Sequence, residues 1–344
     1  MTPTKILVVR RDNIGDLVCT TPVFSVLRRE FPAAFIAALV NSYNREILEG
    51  NPNIDKCFAY TKAKHRDQTP LLQIFWKRLK LIRALRKARF SHVIVAGTAT
   101  ADVMRMVRYF KPGCVIRSAE GIAARDREIT VFPPAGSHES IRTLALLKPL
   151  GIKAGNELPT IYPQVEAVKA LLAKLSTAQR SGPLIGIHIS ARKVSQRWPI
   201  SAFAELIREL QMRHDARFII LWSPGSQANK QHPGDNEKAN ALTALLDNRS
   251  AVAVSTATLS ELVAALSLCD HVICSDGGAM HIAAALRKSI ICLFGDSDAQ
   301  RWHPVGTVYR LLQPDSLDVA DITVTDVVSA YRDLALECGC PSRS

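Results

Sequence analysis

Four stretches of this 344-residue chain carry residue types spaced for chemistry. In one, Ser275-Asp276-Gly277-Gly278 follows the β-branched run His271-Val272-Ile273-Cys274 and precedes Ala279 to Leu286, apolar at helical spacing. A second apolar run, Ile290 to Phe294, ends in Gly295. Strand, glycine turn, helix and strand make a βαβ unit with its turn at the carboxyl edge of a parallel sheet. Two glycines at a helix start expose unpaired N–H groups, where the helix dipole favours a phosphate. His281, about one turn into the helix, can donate to the same anion. The plainer reading makes Gly277 and Gly278 a tight turn with Asp276 or Ser275 as N-cap. The unit alone leaves both open.

The second stretch, Arg10-Arg11-Asp12-Asn13-Ile14-Gly15-Asp16, sits at the carboxyl end of the first apolar run, where α/β sheets place function. Asp16 at a helix start has a structural role available as N-cap or dipole partner. The third runs from Gly186 to Pro199. Ser190 and Ser195 can donate to a phosphate and Arg197 can meet one bidentately, though a solvated basic loop is the alternative. The fourth, Asp296-Ser297-Asp298, has the look of a divalent-cation site. Against that, Arg192, Lys193, Arg197 and the Gly277-Gly278 helix supply enough positive charge to neutralise a leaving group without metal.

The elements that position these residues alternate. Strands are expected at Lys5 to Val9, Ala34 to Val40, Asp55 to Tyr60, Ser91 to Ala96 and Ile129 to Phe132, and helices from Asp16, at Tyr43 to Leu48, Leu71 to Phe90, Met104 to Phe110 and His138 to Leu150. In the second half, strands are expected at Leu184 to Ile189, Phe218 to Trp222, His271 to Cys274 and Ile290 to Phe294. Helices there fall at Val165 to Leu175, Phe203 to Met212, Glu237 to Leu246, Leu259 to Leu266 and Ala279 to Leu286. This alternation argues for α/β architecture: two Rossmann-like doubly wound domains facing a cleft. The first spans residues 1–160 and the second 161–323, linked around Pro159 to Pro163; residues 324–344 form a final helix and tail expected to cross back to the first domain.

Composition narrows the partners. Hydrophobic residues at 47% and charged residues at 22% are ordinary for a globular protein. No apolar run approaches the roughly 20 residues that span a bilayer, and Arg10, Arg11 and Asp12 interrupt the first apolar run as no signal peptide would, so a cytoplasmic protein is expected. Eight scattered cysteines read as reduced, and Cys338 and Cys340 lack the partners of a zinc site. The net charge of +13 asks for an anionic partner. Between Thr61 and Phe90 ten Lys or Arg face one acidic residue, Asp67. Leu72, Phe75, Leu79 and Ile82 form an apolar stripe opposite Lys77, Lys80, Arg83 and Lys87. That basic 61–90 segment is either a solvated helix face or a contact for an anionic membrane surface.

Taken together, the stretches resemble glycosyltransferase family 9, the ADP-heptose:lipopolysaccharide heptosyltransferases. The likeness is specific at Lys5 to Pro32, with its Arg-rich loop, Gly-Asp and Thr-Pro helix, and at Cys269 to Pro304; it is faint from Asp55 to Leu158. It departs from the family at Ala191, where a second hydroxyl is usual, and at Arg197, where lysine is common. The resemblance implies the two-domain GT-B fold and inverting transfer of a heptose from ADP-heptose to a hydroxyl of the lipopolysaccharide inner core. Asp16 would be the general base, taking the proton of the acceptor hydroxyl as that oxygen attacks the anomeric carbon. Arg10, Arg11 and Asn13 would bind the acceptor in the first domain. Ser190, Arg192, Arg197, Ser223, Thr258, Asp276, Gly277, Gly278 and His281 would bind the donor in the second, with Asp235 or Glu237 as candidates for the ribose hydroxyls. The ADP-sugar is a substrate, and no cofactor or metal is expected. Peripheral contact with the inner membrane through the basic segment is compatible with such an acceptor.

Other classes compete. A GT-B transferase using another nucleotide sugar or a protein acceptor shares the motifs, and a sugar-nucleotide epimerase shares the architecture. A nucleic-acid-binding protein would explain the charge but leave both glycine turns idle, so no nucleic-acid partner is expected.

Overall fold

The computed structural model describes residues 4–61, 71–175, 182–228, 234–247 and 251–339. The chain divides into two compact units, Met1–Ile161 and Tyr162–Ser344. In the first, β1 (Lys5–Arg10), β2 (Phe35–Asn41), β3 (Lys56–Tyr60), β4 (His92–Val95), β5 (Cys114–Ser118) and β6 (Glu128–Val131) form one parallel sheet in the order β3-β2-β1-β4-β5-β6. Its central strands are continuous apolar runs because both faces are covered. Leu7, Val9, Val93 and Val95 point to the face packed by Leu85, Phe90, Met104 and Val107, while Ile6, Val8 and Ile94 alternate to the other side and are equally buried.

The helices of this unit are α1 (Ile14–Val18), α2 (Thr21–Glu30), α3 (Leu71–Ala88), α4 (Ala101–Tyr109) and α5 (Glu139–Leu144). The single helix expected from Asp16 is two, parted at Cys19–Thr20, with Pro22 in the first turn of α2, where its missing N–H costs nothing. Tyr43 to Leu48 is a 3₁₀ segment, Ser42–Leu48, and the helix expected to reach Leu150 becomes 3₁₀ over Ala145–Leu150, where Pro149 lies inside it. Strand β5 has no counterpart in the sequence reading. Its apolar run is only Val115-Ile116, followed by an arginine, yet Arg117 is buried because its guanidinium donates to the carbonyls of Ser118 and Ile122. Of the apolar stripe on α3, Leu79 and Ile82 are half-buried; Leu72 and Phe75 lie outside the described side chains, as residues 62–70 lie outside the described chain.

In the second unit, β7 (Leu184–His188), β8 (Arg217–Trp222), β9 (Val252–Ser255), β10 (His271–Ser275), β11 (Ser289–Leu293) and β12 (Tyr309–Leu312) form a second parallel sheet, ordered β12-β11-β10-β7-β8-β9. Each sheet therefore repeats the order 3-2-1-4-5-6. The edge strands β9 and β12 escaped the sequence reading because they are four residues each and only half-buried. The helices are α6 (Val165–Leu175), α7 (Ile200–His214), α8 (Asn236–Ala244), α9 (Leu259–Leu268), α10 (Gly278–Ala285), α11 (Ala299–Trp302) and α12 (Val324–Glu337).

The final helix packs in the core of the second unit. Val327, Tyr331 and Leu334 of α12 pack with Phe203, Leu206 and Leu210 of α7 and with Ile291 and Leu293 of β11. The Tyr331 ring lies 5.1 Å from His214 and 5.4 Å from His271.

Burial lowers the pKa of both histidines, with Arg213 adding to the effect on His214 and Asp270 opposing it on His271. His188, at the end of β7, is lowered by burial to about 4, against the pull of Asp235. All three must stay neutral in the fold, while the unfolded chain takes up protons as pH falls below roughly 6.5. The His188 contribution is thus complete above that pH and lost between it and about 4, and those of His214 and His271 are lost in the same sense as pH falls. Asp276, raised by burial, acts in the opposite sense over part of that window. Denaturant unfolding followed from about pH 7.5 to about pH 5 should show stability falling by on the order of 2 kcal/mol or more; a flat profile would mean these rings accept protons in place.

Candidate functional site

Doubly wound sheets place ligands where the winding reverses, beyond the carboxyl ends of the first and fourth strands. In the first unit that point lies between β1 and β4, and Arg10 bridges it. From the last position of β1 its Nη1 donates to the carbonyl of Ala96, just past β4. Its Nη2 donates to Asp16 Oδ1 and, at 2.8 Å, to Glu139 Oε1 of α5, while Nε lies 3.1 Å from Asp12 Oδ2. Burial disfavours the charge on this guanidinium, but Asp16, Glu139 and Asp12 together outweigh it and raise the pKa. Arg10 is 2% exposed, so it organises the loop and presents no surface to an acceptor.

Asp16 is the third residue of α1, and Asn13 is its N-cap. The Asn13 N–H donates to Asp16 Oδ2 at 3.0 Å, so the carboxylate is held through one oxygen by a cap and through the other by Arg10. Its side chain is 15% exposed, which leaves an edge open to a ligand. Both roles weighed for this residue coexist: the cap fixes the carboxylate and does not cover it. The loop before it is pinned by its carbonyls. Asn41 Nδ2 donates to the carbonyls of Arg11 and Asp12, and Tyr43 Oη to that of Asp12. Asn44 Nδ2 reaches the carbonyls of Asp12 and Asn13.

Arg11 turns the other way. Its guanidinium stacks 3.8 Å from the centroid of Tyr60, and Arg78 of α3 lies 4.8 Å from the same ring. Among the described residues neither forms an ion pair with a carboxylate: Arg78 donates to the carbonyl of Thr61, and Arg11 reaches Met106 Sδ. Burial, with the nearby charge of Arg78, lowers the pKa of Arg11.

In the second unit the equivalent point lies between β7 and β10, and the loops after these strands are tied together there. Ser275 Oγ donates to the carbonyl of Gln196, and Gln196 Nε2 donates to Asp276 Oδ2 at 2.9 Å and to Ser297 Oγ at 3.0 Å. Burial raises the Asp276 carboxyl pKa, against the hydrogen bonds from Ser297 and Gln196 and the charge of Lys193. Gly295 is required by close approach: a Cβ there would stand 2.3 Å from the carbonyl oxygen of Ser195. Helix α10 begins at Gly278 behind Gly277, and no side chain caps it. A Cβ on Gly277 would meet nothing within 4 Å, so the space before these N–H groups is open. His281 is buried with its ring edge-on to Trp302 at 5.9 Å.

The remaining predicted donor residues have mixed placements. Ser190 Oγ accepts from the Ser223 N–H at 3.0 Å, joining the ends of β7 and β8. Arg197 donates to the carbonyls of Ala191 and Arg192, which shapes the loop while Arg192 stays exposed. Thr258 caps α9 through the Glu261 N–H, in a reciprocal pair with the Glu261 carboxylate. Of the two ribose candidates, Asp235 is buried and paired with Lys238, and Glu237 accepts from Ser226 Oγ and from the Gln227 N–H. In the Asp-x-Asp stretch, Asp296 accepts from Lys193 Nζ at 3.0 Å and Ser195 Oγ at 2.9 Å, and Asp298 caps α11. Among the described residues no three His, Cys, Asp or Glu side chains gather in a metal-binding group.

Glu139, Asn41 and Asn44 were not singled out in the sequence. The two asparagines carried a faint signal, as amides at and just beyond the end of an apolar strand; Glu139 carried none, since only the fold brings it to Arg10.

Comparison with known proteins places these loops in context. The profile of glycosyltransferase family 9 (heptosyltransferase) matches residues 78–321. Lipopolysaccharide heptosyltransferase 2 of Salmonella typhimurium is 23% identical over 323 residues, covering 90% of this chain and 88% of its own. Among solved structures, a family 9 glycosyl transferase from Veillonella parvula superposes with a TM-score of 0.82 at 19% identity, covering 97% of this chain and 98% of its own. The E. coli ADP-heptose lps heptosyltransferase II gives 0.74 at 18% identity, covering 98% and 100%. The two parallel six-stranded sheets are thus the pair found in heptosyltransferases of GT-B fold, and the chain belongs to glycosyltransferase family 9, the heptosyltransferase family.

Proposed function

We propose that this protein transfers a heptose from ADP-heptose to a hydroxyl of the lipopolysaccharide inner core, with inversion and without a metal. One observation carries the reading: a carboxylate, Asp16, stands at the switch point of the first sheet with each oxygen oriented and one edge exposed. The names of the relatives support the sugar and the acceptor. Membership of a transferase family takes the footing from the epimerase and nucleic-acid readings.

In this scheme the acceptor hydroxyl gives its proton to Asp16 while its oxygen attacks the anomeric carbon, and the bond from that carbon to the diphosphate breaks. ADP is the leaving group, and the second unit carries the groups that suit it. There the open first turn of α10 and the basic loop with Arg192 and Arg197 meet the developing charge. Arg11 and Arg78, two guanidiniums on one tyrosine with no carboxylate between them, suit an anionic group on the acceptor. Trp76, Lys77, Lys80, Arg83 and Lys87 are exposed on α3, which favours a peripheral contact with an anionic membrane surface. No helix of the described residues is long and apolar enough to cross a membrane.

Asp16→Asn should lower kcat by about 10²–10⁴ and leave ADP affinity as it was. Gly278→Val and Arg197→Ala should do the reverse and weaken ADP binding, the first by crowding the N–H groups of α10, the second by freeing the loop it shapes. Calorimetric titration of ADP into each folded variant, alongside turnover, separates the two sites. Wild-type turnover in Asp16→Asn would reduce that residue to a helix cap, and wild-type ADP affinity in both others would move the donor elsewhere.

Activity should also persist in EDTA, because Asp296 and Asp298 are held by Lys193, Ser195 and a helix start. Loss on chelation, reversed by Mg²⁺ or Mn²⁺, would contradict the metal-free scheme.

A further inference from the structure

The cap on α1 needs only the Asn13 N–H and the Asp16 carboxylate. The structure adds a second carboxylate that this cap does not require. Glu139, 129 residues further along the chain, is buried and accepts from the same Arg10 Nη2 that serves Asp16. Its other oxygen lies 3.6 Å from Arg142 Nε, and Arg142 pairs in turn with Glu120. Placing two carboxylates on one buried nitrogen brings desolvation and mutual repulsion that a single pair would avoid.

The arrangement divides the field of one cation. A guanidinium given wholly to Asp16 would orient it and would also weaken it as a proton acceptor. Shared with Glu139 and Asp12, the same guanidinium still fixes the carboxylate plane but draws less on its negative charge. We propose that Arg10 and Glu139 are positioning residues for Asp16: Arg10 orients the carboxylate, and Glu139 takes up enough of the guanidinium's charge for Asp16 to accept a proton. The proposal rests on the assignment of Asp16 as the base.

The charged and titratable groups around Asp16 are Arg10 at the end of β1, Asp12 in the loop, Glu139 with Arg142 on α5, and the Cys19 thiol after α1. Burial pushes the pKa of that thiol up and keeps it protonated. Of the groups bound to Arg10 Nη2, Glu139 can be neutralised without touching the bridge to β4, which Arg10 makes through Nη1.

Glu139→Gln keeps the shape and the acceptor oxygen and removes the charge. It should lower kcat about 10- to 100-fold, less than loss of the base itself. KM for donor and acceptor should not change, and the acid limb of the kcat profile should move to lower pH. Glu139→Asp, which keeps the charge, should recover the wild-type pH profile and part of kcat. In an Asp16→Asn background the Glu139→Gln change should cost nothing more, because its effect runs through the lost carboxylate.

Wild-type kcat and pH profile in folded Glu139→Gln would overturn the proposal. So would a further loss on top of Asp16→Asn. Should circular dichroism show Glu139→Gln unfolded, Arg10→Lys decides: it keeps the charge but cannot hold both carboxylates, and wild-type turnover there would be equally fatal. Full turnover in Asp16→Asn alone would instead remove the base assignment, and this proposal with it.

Discussion

In each sheet the strand order reverses between the first strand and the fourth, and the candidate site residues gather around that reversal. Right-handed crossovers carry the helices to either face and leave the loops after these two strands adjacent at the carboxyl edge. Each unit then ties its two loops with buried polar groups. In the first unit the tie is Arg10, reaching from β1 to the carbonyl of Ala96. In the second it is Gln196, which accepts from Ser275 and donates to Asp276. The topology creates the opening, and a buried side chain holds its rim.

Buried polar groups are costly unless satisfied, and both ties are satisfied in ways that also orient a neighbour. The Arg10 charge is matched by carboxylates, one of which is Asp16 with its one open edge. The Gln196 amide is matched by Asp276, next to the open turn before α10. Stability and function therefore draw on the same hydrogen bonds. This also explains why Arg197 and Thr258 act on backbone: a loop shaped in advance needs little reordering when a ligand arrives.

How much of this the sequence disclosed depended on whether the signal was local. Lys5 to Val9 with the polar loop before Asp16, and His271 to Cys274 with the double glycine, state strand, connection and helix within a few residues; the structure keeps both, with the first helix beginning two residues earlier than expected, at Ile14. Strand β5 was hidden by Arg117, whose guanidinium is satisfied by carbonyls and by Glu128, partners that only the fold supplies. Edge strands β9 and β12 bury too little to show an apolar pattern. The final helix displayed its apolar stripe but not its destination, which Tyr331 settles by packing beside His214 and His271. Arg10 looked like a surface ligand residue because its partner Glu139 is more than a hundred positions away. Nothing near either residue announces the other.

The proposed reaction is one direct displacement, with Asp16 taking the proton as the sugar leaves its diphosphate. Such a step can only turn the anomeric centre over. The anomeric configuration of the glycoside formed from an ADP-sugar donor, read by NMR through its one-bond carbon–proton coupling, should be opposite to that of the donor. A product that retains the donor's configuration would require two displacements and a covalent or shielded intermediate, and would contradict the role given to Asp16.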